Sequence, residues 1–161
     1  LKNHEKYSGI SQEYLDPETN EKYIPYIIES TYGVDRSILA LLCNAYDEEQ
    51  LENDTRVVLR IHPFLAPYKV GILPLIKKVH SEKATEIYEM LSKYFTCNYD
   101  DSGSIGKRYR RNDAIGTPFS ITIDDETLNN NTVTIRNRDT MEQITISLDE
   151  VASYIEERIK F

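Results

Sequence analysis

The run Tyr68-Lys69-Val70-Gly71-Ile72-Leu73-Pro74-Leu75 limits what this chain can become more than any other stretch. A strand with one wet face alternates apolar and polar residues, whereas this one is apolar almost throughout. It is therefore expected to lie buried on both faces, as strands do in a parallel sheet with helices on either side. The residues beyond Leu75 fit that demand. Ser81 is expected to cap a helix whose inward positions are Ala84, Ile87, Tyr88, Leu91 and Phe95, with Glu89 and Lys93 as an outer i,i+4 pair. Thr96–Tyr99 reads as a short strand and Phe119–Ile123 as another. Asn129-Asn130-Asn131 turns the chain into Thr132–Arg136, which pairs with the alternating Glu142–Ser147. Ser147 and Glu150 have the spacing of a capping box for a last helix with Leu148, Val151, Ala152, Ile155 and Ile159 inward. The order predicts a small α/β domain with a mixed sheet of about five strands and three helices.

The chain before Tyr68 is less regular. Asp16-Pro17-Glu18-Thr19-Asn20 has turn composition and separates Gln12–Leu15 from the run Tyr23–Glu29, a strand that Pro25 confines to an edge or a bulge. Gly33 to about Gln50 reads as a helix, apolar nearly all round and so expected to be buried. Arg36 stands in its first turn, where the helix dipole favours anions. An arginine there, after a glycine turn, makes sense if a phosphate or carboxylate completes the site; the other reading is a structural pair with Glu29 or Asp35. Thr55–Ile61 reads as a strand or an extended connector, and His62–Pro67, with two prolines, punctuates the chain.

Between Asp100 and Pro118, Lys107, Arg108, Arg110 and Arg111 crowd together in a chain of formal net charge -8. Ser102 or Ser104 can cap a helix here, and Gly116 can end it. At about 100° per residue the four cations share an arc of roughly 160°, with Ile105 and Tyr109 opposite as the expected buried side. Such a face is either a site for a polyanion or a solvated helix paired with Asp100, Asp101 and Asp113.

Residues 1–66 hold 6 Lys and Arg against 12 Asp and Glu, the remainder 13 against 15. This acidic balance excludes indiscriminate nucleic-acid binding but leaves room for a local patch. No apolar run reaches the ~20 residues of a membrane span. Cys43 and Cys97 stand far apart with no CxxC spacing, so neither a zinc site nor a disulfide framework is expected, and a cytoplasmic location is. The chain opens on Leu1 in mid-phrase and reads as a fragment of a longer protein.

Four segments carry a resemblance: IPYIIESTYGVDRSILALLCNAYDEE, RIHPFLAPYKVGILPL, YDDSGSIGKRYRRNDAIGTPFSITID and NTVTIRNRDTMEQITISLDEV. Together they resemble the glycyl-tRNA synthetase family, in its class II homodimeric form. The resemblance implies three parts: residues 1–54 as the C-terminal part of the catalytic domain, with antiparallel strands and the motif 3 helix; 55–66 as a connector; 67–161 as an anticodon-binding domain.

Residue by residue, Gly33-Val34-Asp35-Arg36 matches motif 3, whose arginine contacts the nucleotide of ATP. Glu29 matches the acid that holds the ammonium group of glycine. The family usually continues Glu-Pro-Ser, whereas here Glu29-Ser30-Thr31 stands, so Thr31 keeps the hydroxyl without the proline. The implied reaction is activation of glycine by ATP with Mg²⁺, then transfer to tRNA(Gly), in a cytoplasmic homodimer. Motifs 1 and 2 are expected ahead of Leu1, so the chain alone is expected to be inactive. Glycine anticodons end in two cytosines, whose amino groups acidic side chains can accept from. Asp113, Asp139 and Glu142 are therefore candidates for base contacts, and Lys107, Arg108, Arg110, Arg111, Arg136 and Arg138 for phosphates. The rival readings are an anticodon-binding-like accessory module without catalysis, and another synthetase of the subclass such as the prolyl enzyme.

Overall fold

The computed structural model describes residues 1–52 and 54–160, which divide into two compact units, the first of residues 1–34 and the second from 35 onward. The first unit holds helix α1 (Lys2–Ser8), closed by Gly9 at φ 69°, and a two-stranded antiparallel ribbon of β1 (Tyr14–Leu15) and β2 (Lys22–Tyr23). Asp16 makes the turn: its Oδ1 accepts from the Glu18 amide at 2.8 Å and its carbonyl from the Asn20 amide at 2.9 Å. Tyr14 and Tyr23 face each other across the ribbon, ring centroids 5.8 Å apart. The expected strand Tyr23–Glu29 is corrected: pairing stops at Tyr23, and Tyr26, Ile27 and Ile28 are exposed outside any strand. Two residues later Pro25 lacks the amide a ladder needs. Helix α1 has no counterpart among the sequence expectations.

The second unit is built on α2 (Val34–Ala45), the hairpin β3 (Tyr46–Gln50) and β4 (Thr55–Leu59), and a five-stranded sheet. The helix expected to reach Gln50 stops at Ala45 because Asp47 and Glu49 find their cations only across a hairpin. Glu49 lies opposite Arg56 in register, with Arg56 Nη1 at 2.7 Å from Glu49 Oε2, and Arg60 Nε donates to Asp47 Oδ2 at 2.8 Å. Only Ala45 of α2 is buried; the apolar residues Val34, Ile38, Leu39, Leu41 and Leu42 are exposed, against the expectation of a buried helix.

The sheet contains β5 (Val70–Pro74), β6 (Cys97–Tyr99), β7 (Phe119–Ile123), β8 (Thr132–Asn137) and β9 (Gln143–Ser147), ordered β6-β5-β7-β8-β9. β5 runs parallel to β6 and β7, and β8 and β9 continue antiparallel. All five residues of β5 are buried, as its unbroken apolar run requires. One sheet face carries Val70, Ile72, Phe119, Ile121, Val133 and Ile135, packed with Ala84, Ile87 and Leu91 of α3 (Lys77–Leu91) and Val151 and Ile155 of α6 (Val151–Ile159). Each fully buried leucine or isoleucine there contributes roughly 1.5–3 kcal/mol.

The opposite face presents Gly71, Ser120, Thr122 and Arg136 to α4 (Ile105–Ala114). Gly71 is required for that approach: a Cβ there would sit 2.6 Å from Asn112 Oδ1. Asn112 Nδ2 donates to the Arg108 carbonyl at 2.9 Å, and Asn112 Oδ1 accepts from Asn98 Nδ2 at 3.3 Å.

Two capping expectations are corrected. α3 starts at Lys77, not at Ser81, because the buried His80 ring caps it: Nδ1 accepts from the Ile76 amide at 3.0 Å. The other ring nitrogen lies 3.0 Å from Asp125 Oδ1, tying α3 to the additional helix α5 (Asp125–Asn130). That helix has its own capping box from Asp124 and Thr127 and ends at Asn131 in the left-handed region. Ser147 makes no side-chain cap; a 3-10 turn (Leu148–Glu150) leads into α6 instead.

Candidate functional site

Helix α4 is amphipathic in a way its sequence conceals. Its buried residues are Arg108, Asn112 and Asp113, while Ile105 and Tyr109, expected as the buried side, are only half-buried. Arg108 folds inward and donates to the carbonyls of Gly103, Nε at 3.1 Å and Nη2 at 2.6 Å, and of Pro74. It thereby satisfies the end of the helix-entry loop and of β5 together. Lys107, Arg110 and Arg111 remain outward. Arg110 reaches Asp54 at 3.0 Å and Arg111 holds Asp100 with two bonds of 2.9 Å, whereas Lys107 makes no ion pair among the described residues. Two shallow pockets flank this face. One, of about 400 Å³, is lined by Asn98, Tyr99, Asp100, Arg111, Ala114 and Ile115; the other, of about 370 Å³, by Asp54, Thr55, Val57, Arg110, Arg111 and Ala114.

Behind the face lies a buried ionic cluster. Asp113 Oδ1 and Oδ2 accept from Arg136 at 2.8 and 3.1 Å, and Oδ2 also accepts from Arg56 Nε at 2.8 Å. The Arg136 guanidinium stacks on Tyr109, 4.8 Å from the ring centroid. Arg138 Nη1 donates to the Gly116 carbonyl at 2.8 Å, and its Nε and Nη2 chelate Asp139 at 2.9 and 2.8 Å. Burial opposes ionisation of Asp139, but the bond from Arg138 and the nearby Arg60 overcome it and hold its carboxyl below the usual range. Burial likewise opposes the charge on Arg56, which its bonds to Asp113 and Glu49 more than restore.

The turn between β8 and β9 is ordered by Asn137, whose Oδ1 accepts from the amides of Asp139 at 2.7 Å and Thr140 at 3.3 Å. It leaves Glu142 exposed. Of the nine residues named for RNA, the structure thus gathers all around α4 and this turn, but buries Arg108, Asp113, Arg136 and Arg138 in protein contacts. Glu29 and Thr31 are exposed in the first unit, with Thr31 Oγ1 3.5 Å from Glu29 Oε1. Gly33 lies near the end of the same unit, and Asp35 and Arg36 stand exposed in the first turn of α2, in the second. The sequence reading missed Arg56 and Arg60. Their only signal was two arginines in an otherwise apolar strand run, opposite an acidic one.

A family model described as an anticodon binding domain matches residues 69–158. The chain belongs to the anticodon-binding domain family. The match spans the five-stranded sheet with α3 to α6, so the basic face of α4 and the β8–β9 turn both lie within the anticodon-binding domain. The whole chain is 59% identical over 162 residues to the glycine–tRNA ligase of Clostridium tetani, and 57% to that of Clostridium kluyveri. The glycine–tRNA ligase of Bacillus cereus is 55% identical over 161 residues. Each alignment takes in 100% of this chain and 35% of the relative, so the chain spans about a third of the curated relatives' length. Among solved structures, the RNA binding domain of threonyl-tRNA synthetase from Cryptosporidium parvum Iowa II superposes with a TM-score of 0.55 at 23% identity. It covers 59% of this chain and 24% of that one, a likeness of fold. No helix among the described residues is long and apolar enough to cross a membrane.

Proposed function

We propose that the chain is the C-terminal part of a class II glycyl-tRNA synthetase, its anticodon-binding domain reading the anticodon of tRNA(Gly). The observation that carries this reading is identity of 55–59% along the whole chain to proteins named glycine–tRNA ligase. That identity runs through residues 1–54, which we assign to the end of the catalytic domain, and 55–66, which we assign as the link to the anticodon-binding domain. It also favours the glycyl enzyme over a prolyl one and over an accessory module, which has no use for a nucleotide-binding arginine.

In the complete enzyme, a cytoplasmic homodimer in this proposal, the carboxylate of glycine attacks the α-phosphorus of ATP and pyrophosphate leaves. The glycyl group then passes to the terminal ribose hydroxyl of the tRNA, with release of AMP. Arg36, exposed at the first turn of α2, supplies positive charge to the nucleotide, and Gly33 and Asp35 belong to the same ATP-binding motif. Glu29 pairs with the substrate ammonium, and Thr31 places a hydroxyl beside it. ATP brings its Mg²⁺ as substrate. Among the described residues no three His, Cys, Asp or Glu gather into a metal-holding group.

For the RNA, Lys107, Arg110 and Arg111 meet phosphates, Glu142 and Asp139 approach the cytosine amino groups, and unpaired bases stack over the shallow pockets beside Arg111. Arg108, Asp113, Arg136 and Arg138 hold the scaffold beneath, a division supported by their burial. The experiment is aminoacylation and glycine-dependent ATP–pyrophosphate exchange, by the 161-residue chain and by the full-length protein that contains it. The full-length protein is expected to charge tRNA(Gly) and lose exchange on Arg36→Ala, and the short chain to show no exchange. Charging of another amino acid, or of none, overturns the assignment.

A further inference from the structure

Arg56 is one of the largest wholly buried side chains, yet it lies in β4, outside the segment that the family model matches. Its guanidinium binds three separate pieces of chain. Nε donates to Asp113 of α4 at 2.8 Å, Nη1 to Glu49 of β3 at 2.7 Å, and Nη2 to the backbone carbonyl of Arg138 in the β8–β9 turn. A planar fork with fixed donor directions can satisfy three acceptors only when all three stand in one arrangement. The hairpin is itself tied to α2, since the Arg60 amide donates to the Ala45 carbonyl at 2.6 Å, and Arg60 Nη1 reaches Asp139 Oδ1 at 3.2 Å.

We propose that Arg56 is a positioning residue for anticodon reading. From the hairpin it sets the basic face of α4 and the β8–β9 turn at a fixed separation without touching RNA, a role that rests on the function proposed above. Asp113 lies one turn beyond Arg110 on α4, and Arg138 lies four residues before Glu142, so one guanidinium governs where both surfaces point. Without it Asp113 keeps Arg136 and Arg138 keeps the Gly116 carbonyl, but the Arg138 carbonyl and Glu49 lose their shared donor, and the separation of turn and helix is held by fewer bonds. A drift of this kind degrades discrimination between bases, which needs fixed geometry, and spares the charge attraction to phosphates, which does not.

The test uses the full-length protein and anticodon stem-loop RNAs, one ending in the two cytosines of a glycine anticodon and one with both replaced. Arg56→Lys keeps the charge and loses the fork. It is expected to reduce the ratio of the two affinities about tenfold, the scale of one misplaced base contact, with the slope of log Kd against log salt unchanged. Arg110→Ala is expected to do the reverse. Glu49→Gln, which loosens only the hairpin end of the fork, is expected to lower the ratio about threefold and decides the matter if Arg56→Lys is unfolded at the assay temperature. An unchanged ratio in the folded variant overturns the proposal, as does a smaller salt slope, which would put Arg56 on a phosphate. If the unsubstituted protein itself fails to discriminate the two RNAs, the functional reading falls and this inference with it.

Discussion

Asp113 and Arg136 form a two-bond pair in the interior, Oδ1 and Oδ2 accepting from Nη1 and Nη2 at 2.8 and 3.1 Å, with both side chains almost wholly buried. The carboxylate takes a third bond from Arg56 and so is shared by two buried guanidiniums at the junction of α4, β4 and β8, with Glu49 supplying the second negative charge. Removing it leaves Arg136 without a carboxylate and Arg56 with Glu49 alone. Asp113→Ala is expected to destabilise the chain by about 3–5 kcal/mol, the penalty for breaking a buried pair from one side. Urea unfolding monitored by circular dichroism measures it, and a loss under about 1 kcal/mol would mean that water enters the cluster.

The exposed cations obey a different rule. Lys107→Ala and Arg110→Ala are each expected to change stability by no more than about 0.5 kcal/mol. Both should weaken binding to tRNA(Gly) alike for all anticodons and lessen the salt slope by about 0.7 to 1 per residue. Fluorescence anisotropy titrations between low and physiological salt provide the measurement. Equal salt slopes for the variants and the parent would take these residues off the RNA.

Asp139 gives the cluster a pH signature. Its carboxyl titrates below its ordinary value, near 3.9 in an unfolded chain, because Arg138 and Arg60 outweigh burial. A depressed folded value adds stability that is fully present above the unfolded pKa and fades as pH falls through the folded one. Asp139→Asn should therefore lower Tm by a constant amount from about pH 5 upward, and by progressively less below about pH 4. A Tm difference that does not shrink in acid would show that the charge of Asp139 is irrelevant and its hydrogen bonds suffice.

Gly71 tests how closely α4 sits on the sheet. A methyl group there meets Asn112 Oδ1 at 2.6 Å, and Asn112 can withdraw only by giving up its bonds to Asn98 and the Arg108 carbonyl. Gly71→Ala is expected to destabilise by about 1–3 kcal/mol, with the double variant Gly71→Ala/Asn112→Ala losing less than the two single losses added together. Strict additivity in a thermal denaturation series would place the strain elsewhere.

Local pattern was enough wherever burial follows from apolarity. β5 and β7 appear at or within two residues of their expected limits, and the helix stripes at Ala84, Ile87 and Leu91 and at Val151 and Ile155 are the ones that pack. Pattern failed where a polar side chain did the work. His80 caps α3 from inside the helix, Asp124 starts a helix where only a turn was expected, and Glu49 ends α2 early by pairing across a hairpin.

By itself, then, the sequence determined the layered α/β core and the presence of a basic helix in an acidic chain, because apolar period and charge density are local quantities. Only the tertiary structure decided which cations of that helix face outward. Arg108 and Arg111 are chemically identical and share one predicted arc, yet one turns in to the Gly103 and Pro74 carbonyls and the other stays at the surface on Asp100. The choice depends on which unpaired carbonyls and carboxylates the fold carries to each position. Arg56, Asp113 and Arg138 meet for the same reason: a buried charge is stable only among partners from distant parts of the chain, and folding alone brings those together.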